Sequence, residues 1–175
     1  MSSPASPETR LLSLWRRLSP RPGGAWAFSR LLRRMVPYSG SIHPSVLALE
    51  PGHAVVELRD RRAVRNHLGS VHAIALANLG ELASGLAMTS AMSPSVRAIV
   101  TRLEIQYHKK ARGTLIAEGR ADPPKTVSEP LDLNVVAEIK DEAGDVVSTV
   151  TVLWRLAPRP QPDERSVEVG AAPPA

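Results

Sequence analysis

The chain has 175 residues, 43% of them hydrophobic and 22% charged, which suits one globular domain with a sizeable core and is too short for two of ordinary size. Cysteine is absent, which excludes disulfides, thiolate metal ligands and a cysteine nucleophile; chemistry must come from histidine, carboxylates, hydroxyls or the backbone. The net charge of +5 is uneven, because residues 1–35 hold seven arginines against Glu8, a sum of +6, and the rest sums to −1; with only six aromatic residues this does not read as a nucleic-acid surface.

In chain order, residues 1–7 and the proline-rich stretch 157–175 bury too little apolar surface to order themselves and are expected to be disordered. No apolar run followed by a small-residue cleavage site reads as a secretory signal, so the expected compartment is the cytoplasm. Residues 8–38 read as a basic arm of two short amphipathic helices, Leu11-Leu12-Leu14-Trp15-Leu18 and Trp26-Phe28-Leu31-Leu32-Met35, broken at Ser19-Pro20-Arg21-Pro22-Gly23-Gly24. Such an arm packs on its own domain or a second subunit, or else lies on a membrane surface.

The domain proper is expected over 40–156. Ser45–Glu50 and His53–Arg59 flank Pro51-Gly52 and predict a hairpin. Ser70 is the expected N-cap of a helix running to about Met92. Four strands follow, at Ile99–Tyr107, Leu115–Arg120, Leu131–Lys140 and Val146–Leu156, with apolar residues alternating along them. Alternation means an antiparallel sheet with one buried face, and only the single long helix is apolar enough to cover it.

That helix is apolar on every side, yet Glu81 stands at its middle. A buried carboxylate must be paired, hydrogen-bonded, protonated or set in a wet cleft. Gly80 and Gly85 each cost about 1 kcal/mol of helix stability relative to Ala, which implies close approach by a second helix or a ligand. A membrane span is disfavoured by the central charge and the strand-like flanks. The remaining histidines, His43, His53, His67 and His108, have no metal-ligand spacing.

Asn66, Gly69 and His72-Ala73, with Glu81 nine positions after the histidine, resemble the central motif of the hotdog-fold acyl-CoA thioesterases of the phenylacetyl-CoA or aromatic type. The segment from Leu103 to Gly113, a strand ending in a basic turn, is similar too. Val-His-Ala in place of His-Gly-Gly is closest to an uncharacterised branch of that superfamily with a basic N-terminal arm. The resemblance implies an α+β hotdog fold, an antiparallel sheet wrapped around one long central helix, and hydrolysis of a thioester on a medium-sized or aromatic acyl group. It implies no cofactor beyond the coenzyme A carried by the substrate.

Carried over residue by residue, Glu81 would be the general base or nucleophile and the Ala73 N–H the oxyanion donor. His72 would hold the turn or the substrate, Asn66 would orient the water or the carbonyl, and Ser84 is the nearest hydroxyl to the place where relatives hold a water. The coenzyme A phosphates would meet Arg62, Arg65, Lys109, Lys110 or Arg112. Ala73 and Glu81 lie about 12 Å apart along one helix, so a shared carbonyl requires two antiparallel helices, hence a homodimer or a dimer of dimers. Ile74 where the second glycine would be, and Gly85 four residues after the acid, are departures that keep open a non-catalytic acyl-CoA or lipid-binding hotdog module.

Overall fold

The computed structural model describes residues 7–160. The terminal stretches expected to be disordered lie outside it, except that Pro7 begins a helix and the last strand runs through Pro158. The arm folds into α1 (Pro7–Leu18), α2 (Gly24–Met35) and the single turn α3 (Pro37–Gly40). Then come β1 (Ser45–Glu50), β2 (His53–Leu58), a 3-10 turn (Arg62–Val64), α4 (Ala73–Ala91), β3 (Val96–Tyr107), β4 (Leu115–Arg120), β5 (Leu131–Lys140) and β6 (Val146–Pro158). The strands form one antiparallel six-stranded sheet in the order β1-β2-β4-β5-β6-β3. Its buried face wraps α4, the hotdog arrangement. No helix among the described residues is long and apolar enough to cross a membrane.

The core lies between α4 and the sheet: Leu79, Ala83 and Met88 pack against Val56, Leu58, Leu115, Val135, Ile139 and Val150, all buried. Gly52, at φ +78, makes the tight β1–β2 turn, and Ser90 ties that turn to α4 by accepting from the Gly52 N–H at 3.0 Å and donating to the Glu50 carbonyl at 2.7 Å. Gly80 faces the sheet. A side chain there would collide with Val150, a Cβ falling 2.6 Å from that residue's own Cβ. The close approach at Gly80 is therefore by β6, not by a second helix or a ligand. Gly119 does the same from the sheet side, where a Cβ would sit 2.6 Å from the Ala83 carbonyl.

Two expectations need correction. Ser70 is not the N-cap, because Asn66 closes residues 66–70 into a loop: its Oδ1 accepts from the N–H groups of Leu68 (2.9 Å) and Ser70 (3.2 Å). The chain stays extended through His72, whose ring caps the helix instead. The alternation along β3 does not give a buried face either. β3 is an edge strand, and α4 lies chiefly against β2, β4 and β5, so Ile99, Leu103 and Tyr107 remain exposed.

The arm packs on the domain. Trp15 of α1 meets Phe28 of α2 edge to face, with ring centroids 5.0 Å apart, and both are buried with Leu32. Ser29 fixes α2 to β1, accepting from the Val46 N–H at 2.9 Å and donating to the Ala25 carbonyl at 2.8 Å. Trp26, Leu31 and Met35 of α2 remain exposed.

Candidate functional site

Helix α4 has the sheet on one side and the arm across part of the other, and a groove runs between the arm and the helix. At its C-terminal end is an apolar chamber of about 320 Å³, lined by Leu11, Leu32, Met35, Leu82 and Leu86, with Glu81 at its border. A second hollow of about 350 Å³ holds Tyr38, Ser39, Ile74, Asn78 and Leu103, again with Glu81. A third, of about 380 Å³, shares Tyr38, Ile74 and Asn78 and reaches Arg65 and His72 at the start of the helix. From Ile74 to Thr89 the groove follows the helix for about 22 Å at ~1.5 Å per residue.

Glu81 is half-buried at the junction of chamber and groove, and no hydrogen bond or ion pair among the described residues reaches its carboxylate. Burial alone pushes its pKa above the ordinary carboxylate value. One turn earlier, buried Asn78 donates from Nδ2 to the Tyr38 carbonyl at 3.4 Å, while its Oδ1 has no partner among the described residues. Asn78 and Glu81, three apart on a helix, share a face.

At the helix start, His72 Nδ1 accepts the Ile74 N–H at 3.1 Å, whereas the Ala73 N–H makes no hydrogen bond among the described residues. The Ala73 carbonyl instead accepts from the Tyr107 hydroxyl at 3.2 Å, tying the end of β3 to the helix. The helix N-terminus thus offers a free donor and its positive dipole end. Ile74 is 57% exposed, its side chain standing in the groove beside that donor.

The other expected site residues are placed differently from one another. Asn66 is committed to its loop, where its Nδ2 also lies 3.1 Å from the Ser70 hydroxyl. Ser84 is fully buried on the sheet side and donates to the Glu81 carbonyl at 3.1 Å, so it does not share the groove with the Glu81 carboxylate. Asp60 draws the two basic segments together, accepting from Arg65 at 2.6 Å and from the Gly113 N–H at 3.1 Å, and the Arg65 bond holds its carboxyl below the usual range. Lys109 bridges Asp141 (2.8 Å) and Asp145 (2.6 Å). Arg62, Lys110 and Arg112 are exposed and make no direct ion pair among the described residues. Nor do the described residues contain a cluster suited to a metal ion.

Sequence reasoning missed Ser39, Tyr38, Asn78 and Tyr107. Asn78 carried a signal, as the one other strongly polar side chain on the face of Glu81. Tyr38 and Ser39 carried none, because a four-residue helix after Pro37 has no periodicity to read.

The model of a family described as "Domain of unknown function (DUF4442)" matches residues 24–156. No curated protein matches the sequence. Among solved structures, a structural-genomics protein is 26% identical, with 87% of this chain and 99% of that chain covered and a TM-score of 0.74. A Pseudomonas aeruginosa protein of unknown function, described as "Probable Thioesterase", is 20% identical, with 75% and 93% covered and a TM-score of 0.66. A hypothetical thioesterase from Streptococcus pneumoniae, solved with coenzyme A, is 18% identical, with 74% and 99% covered and a TM-score of 0.59. All three share the fold described above.

Proposed function

The chain belongs to the family described as DUF4442, and on its hotdog fold and the groove along α4 we propose that it hydrolyses acyl-CoA thioesters. The observation that carries this reading is Glu81: a half-buried, unpartnered carboxylate between an apolar chamber and a groove leading to a helix N-terminus. The names of two structural relatives, thioesterases, one of them with coenzyme A, support the same substrate class.

In this mechanism the acyl group enters the chamber of Leu32, Met35, Leu82 and Leu86, and the thioester carbonyl lies beside Glu81. Glu81 removes a proton from a water that attacks the carbonyl carbon, or attacks that carbon itself to give an anhydride that water then cleaves; in either case the C–S bond breaks and coenzyme A leaves as the thiolate, which takes up a proton. The raised pKa strengthens it as a base. An N–H at a helix start, that of Ala73, stabilises the oxyanion. Because Ala73 and Glu81 of one helix are about 12 Å apart, the donor comes from a second copy, and the uncovered apolar residues of β3 favour such a neighbour. His72 and Asn66 hold the turn that presents the donor. Ser39, which lines both hollows with Glu81, supplies the water-holding hydroxyl that Gly85 lacks and Ser84 turns away. The coenzyme A phosphates fall to Arg62, Lys110 and Arg112.

The exposed Ile74 side chain, standing where the thioester must approach, favours a second reading, a hotdog module that binds an acyl-CoA or lipid without hydrolysing it. A broad acyl-CoA panel separates the two. Release of free thiol, abolished in a folded Glu81→Gln variant, supports the enzyme; stabilisation by several acyl-CoAs with no turnover supports the module.

A further inference from the structure

On the far side of the arm lies a cleft of about 310 Å³ between the C-terminal half of α2 and the α3–β1 connection, lined by Arg30, Arg33, Arg34, Ser41 and His43. Among the described residues, no carboxylate lines it. Arg61, from the loop after β2, donates to the Ser41 carbonyl at 3.3 Å and so brings a further guanidinium to its edge. Several exposed arginines elsewhere are answered by acids, Arg59 by Glu57, Arg120 by Glu118 and Arg155 by Asp132, whereas Arg62 and Arg112 stand singly without an ion pair among the described residues. The four arginines here have no ion pair among the described residues.

The ordinary reason for arginines at a helix end is the negative pole of the helix dipole, and it accounts for Arg33 and Arg34 in the last turn of α2. It does not account for Arg30 a turn earlier, held over the Trp26 ring at 5.7 Å, nor for His43 and Arg61, which arrive from other elements. Arg30, Arg33 and Arg34 share one helix face by spacing. His43 is also the one non-glycine residue in the left-handed region among those described, at φ 53, and it lines the cleft. Burial first, and then the nearby Arg61 and Arg33, press its pKa down. Converging cations with no counter-charge in a concave surface focus a positive potential, and guanidinium forks match phosphate oxygens.

We propose that this cleft is a phosphate-binding site, which takes the phosphate or diphosphate group of a soluble molecule or of a lipid headgroup. The site is independent of hydrolysis at Glu81 and would stand if that reading failed. The test uses the full chain with three probes: inorganic pyrophosphate by calorimetry, and vesicles of phosphatidylcholine with and without phosphatidic acid by co-sedimentation. The expected result is saturable binding of pyrophosphate or of the phosphatidic acid vesicles, weakened at least tenfold in Arg30→Gln/Arg33→Gln and in Arg61→Gln, and unchanged in Arg120→Gln. Pyrophosphate binding without vesicle binding assigns a soluble ligand; selective binding of the phosphatidic acid vesicles assigns a headgroup. No binding of either probe, or equal binding by all variants with native melting curves, overturns the proposal.

Discussion

The imidazole of His72 caps the helix that carries Glu81, its Nδ1 accepting the Ile74 N–H at 3.1 Å, while the Ala73 N–H at the helix start is unengaged among the described residues. A capping side chain contributes ~1 kcal/mol, and Asn caps well where Ala does not. His72→Ala should therefore lose about 0.5–2 kcal/mol in urea unfolding while His72→Asn loses little. If the free Ala73 donor serves the oxyanion, kcat/KM should fall in the same order. Equal stabilities of the two variants would show that the cap contributes nothing.

Glu81 ties stability and activity to one titration. Below the ordinary carboxylate pKa of about 4.3 the group is protonated whether the chain is folded or not, and its burial costs no ionisation. As pH rises the unfolded chain ionises first, and folding stability declines until pH has passed the raised folded pKa. Glu81→Gln should thus melt near wild type at pH 4 and above it at pH 7. Hydrolysis by wild type should rise across the same interval, since only the ionised carboxylate acts as base. A rate profile flat across that interval would remove Glu81 from the chemistry.

The contact of Gly80 with Val150 tests the fold rather than the site. Gly80→Ala gains about 1 kcal/mol of helix propensity, but its Cβ would sit 2.6 Å from the Val150 Cβ, an overpacking that costs about 1–3 kcal/mol. The variant should be destabilised. Combined with Val150→Gly, which removes the colliding Cβ and both methyls, it should be less destabilised than the sum of the two single changes, by about 0.5–3 kcal/mol.

These positions also show what a sequence reveals. The strand order along the chain, the long helix and the arm were legible because side chains keep time with the backbone: Leu131 to Ile139 alternate, and Trp26 to Met35 recur at helical spacing. Gly80 was visible as an anomaly, yet its partner was not, since pairing of α4 with β6 is a long-range fact. Glu81 stood out by chemistry. Ser39 and Tyr38 did not, because they reach the groove only when the arm folds back on the helix. The cap passed from Ser70 to His72 because Asn66 took Ser70 into its loop, a contest between local hydrogen bonds that spacing does not decide.

Ser39 gives a prediction specific to the chemistry. It lines both hollows with Glu81 and is the hydroxyl of the arm that does so. Ser39→Ala should lower kcat by about tenfold to a hundredfold with KM little changed, if the hydroxyl holds the attacking water. Melting temperature should stay near wild type, because the side chain is only half-buried. An unchanged kcat would return the water to Glu81 alone.

The chamber predicts which substrates are accepted. Thr89 lies at its far end, eight residues and about 12 Å beyond Glu81 along the helix, half-buried and clear of the sheet core. Its hydroxyl donates to the Gly85 carbonyl at 2.8 Å, a bond within the helix that a replacement can forgo cheaply. Thr89→Phe should fill that end without disturbing Glu81. If the acyl chain runs from Glu81 toward Thr89, activity on long acyl-CoAs should fall at least tenfold while activity on acetyl-CoA stays within about twofold, a selective loss of pocket length. A uniform fall across chain lengths, with the melting curve preserved, would place the acyl group on the other side of Glu81, toward Ile74 and Leu103.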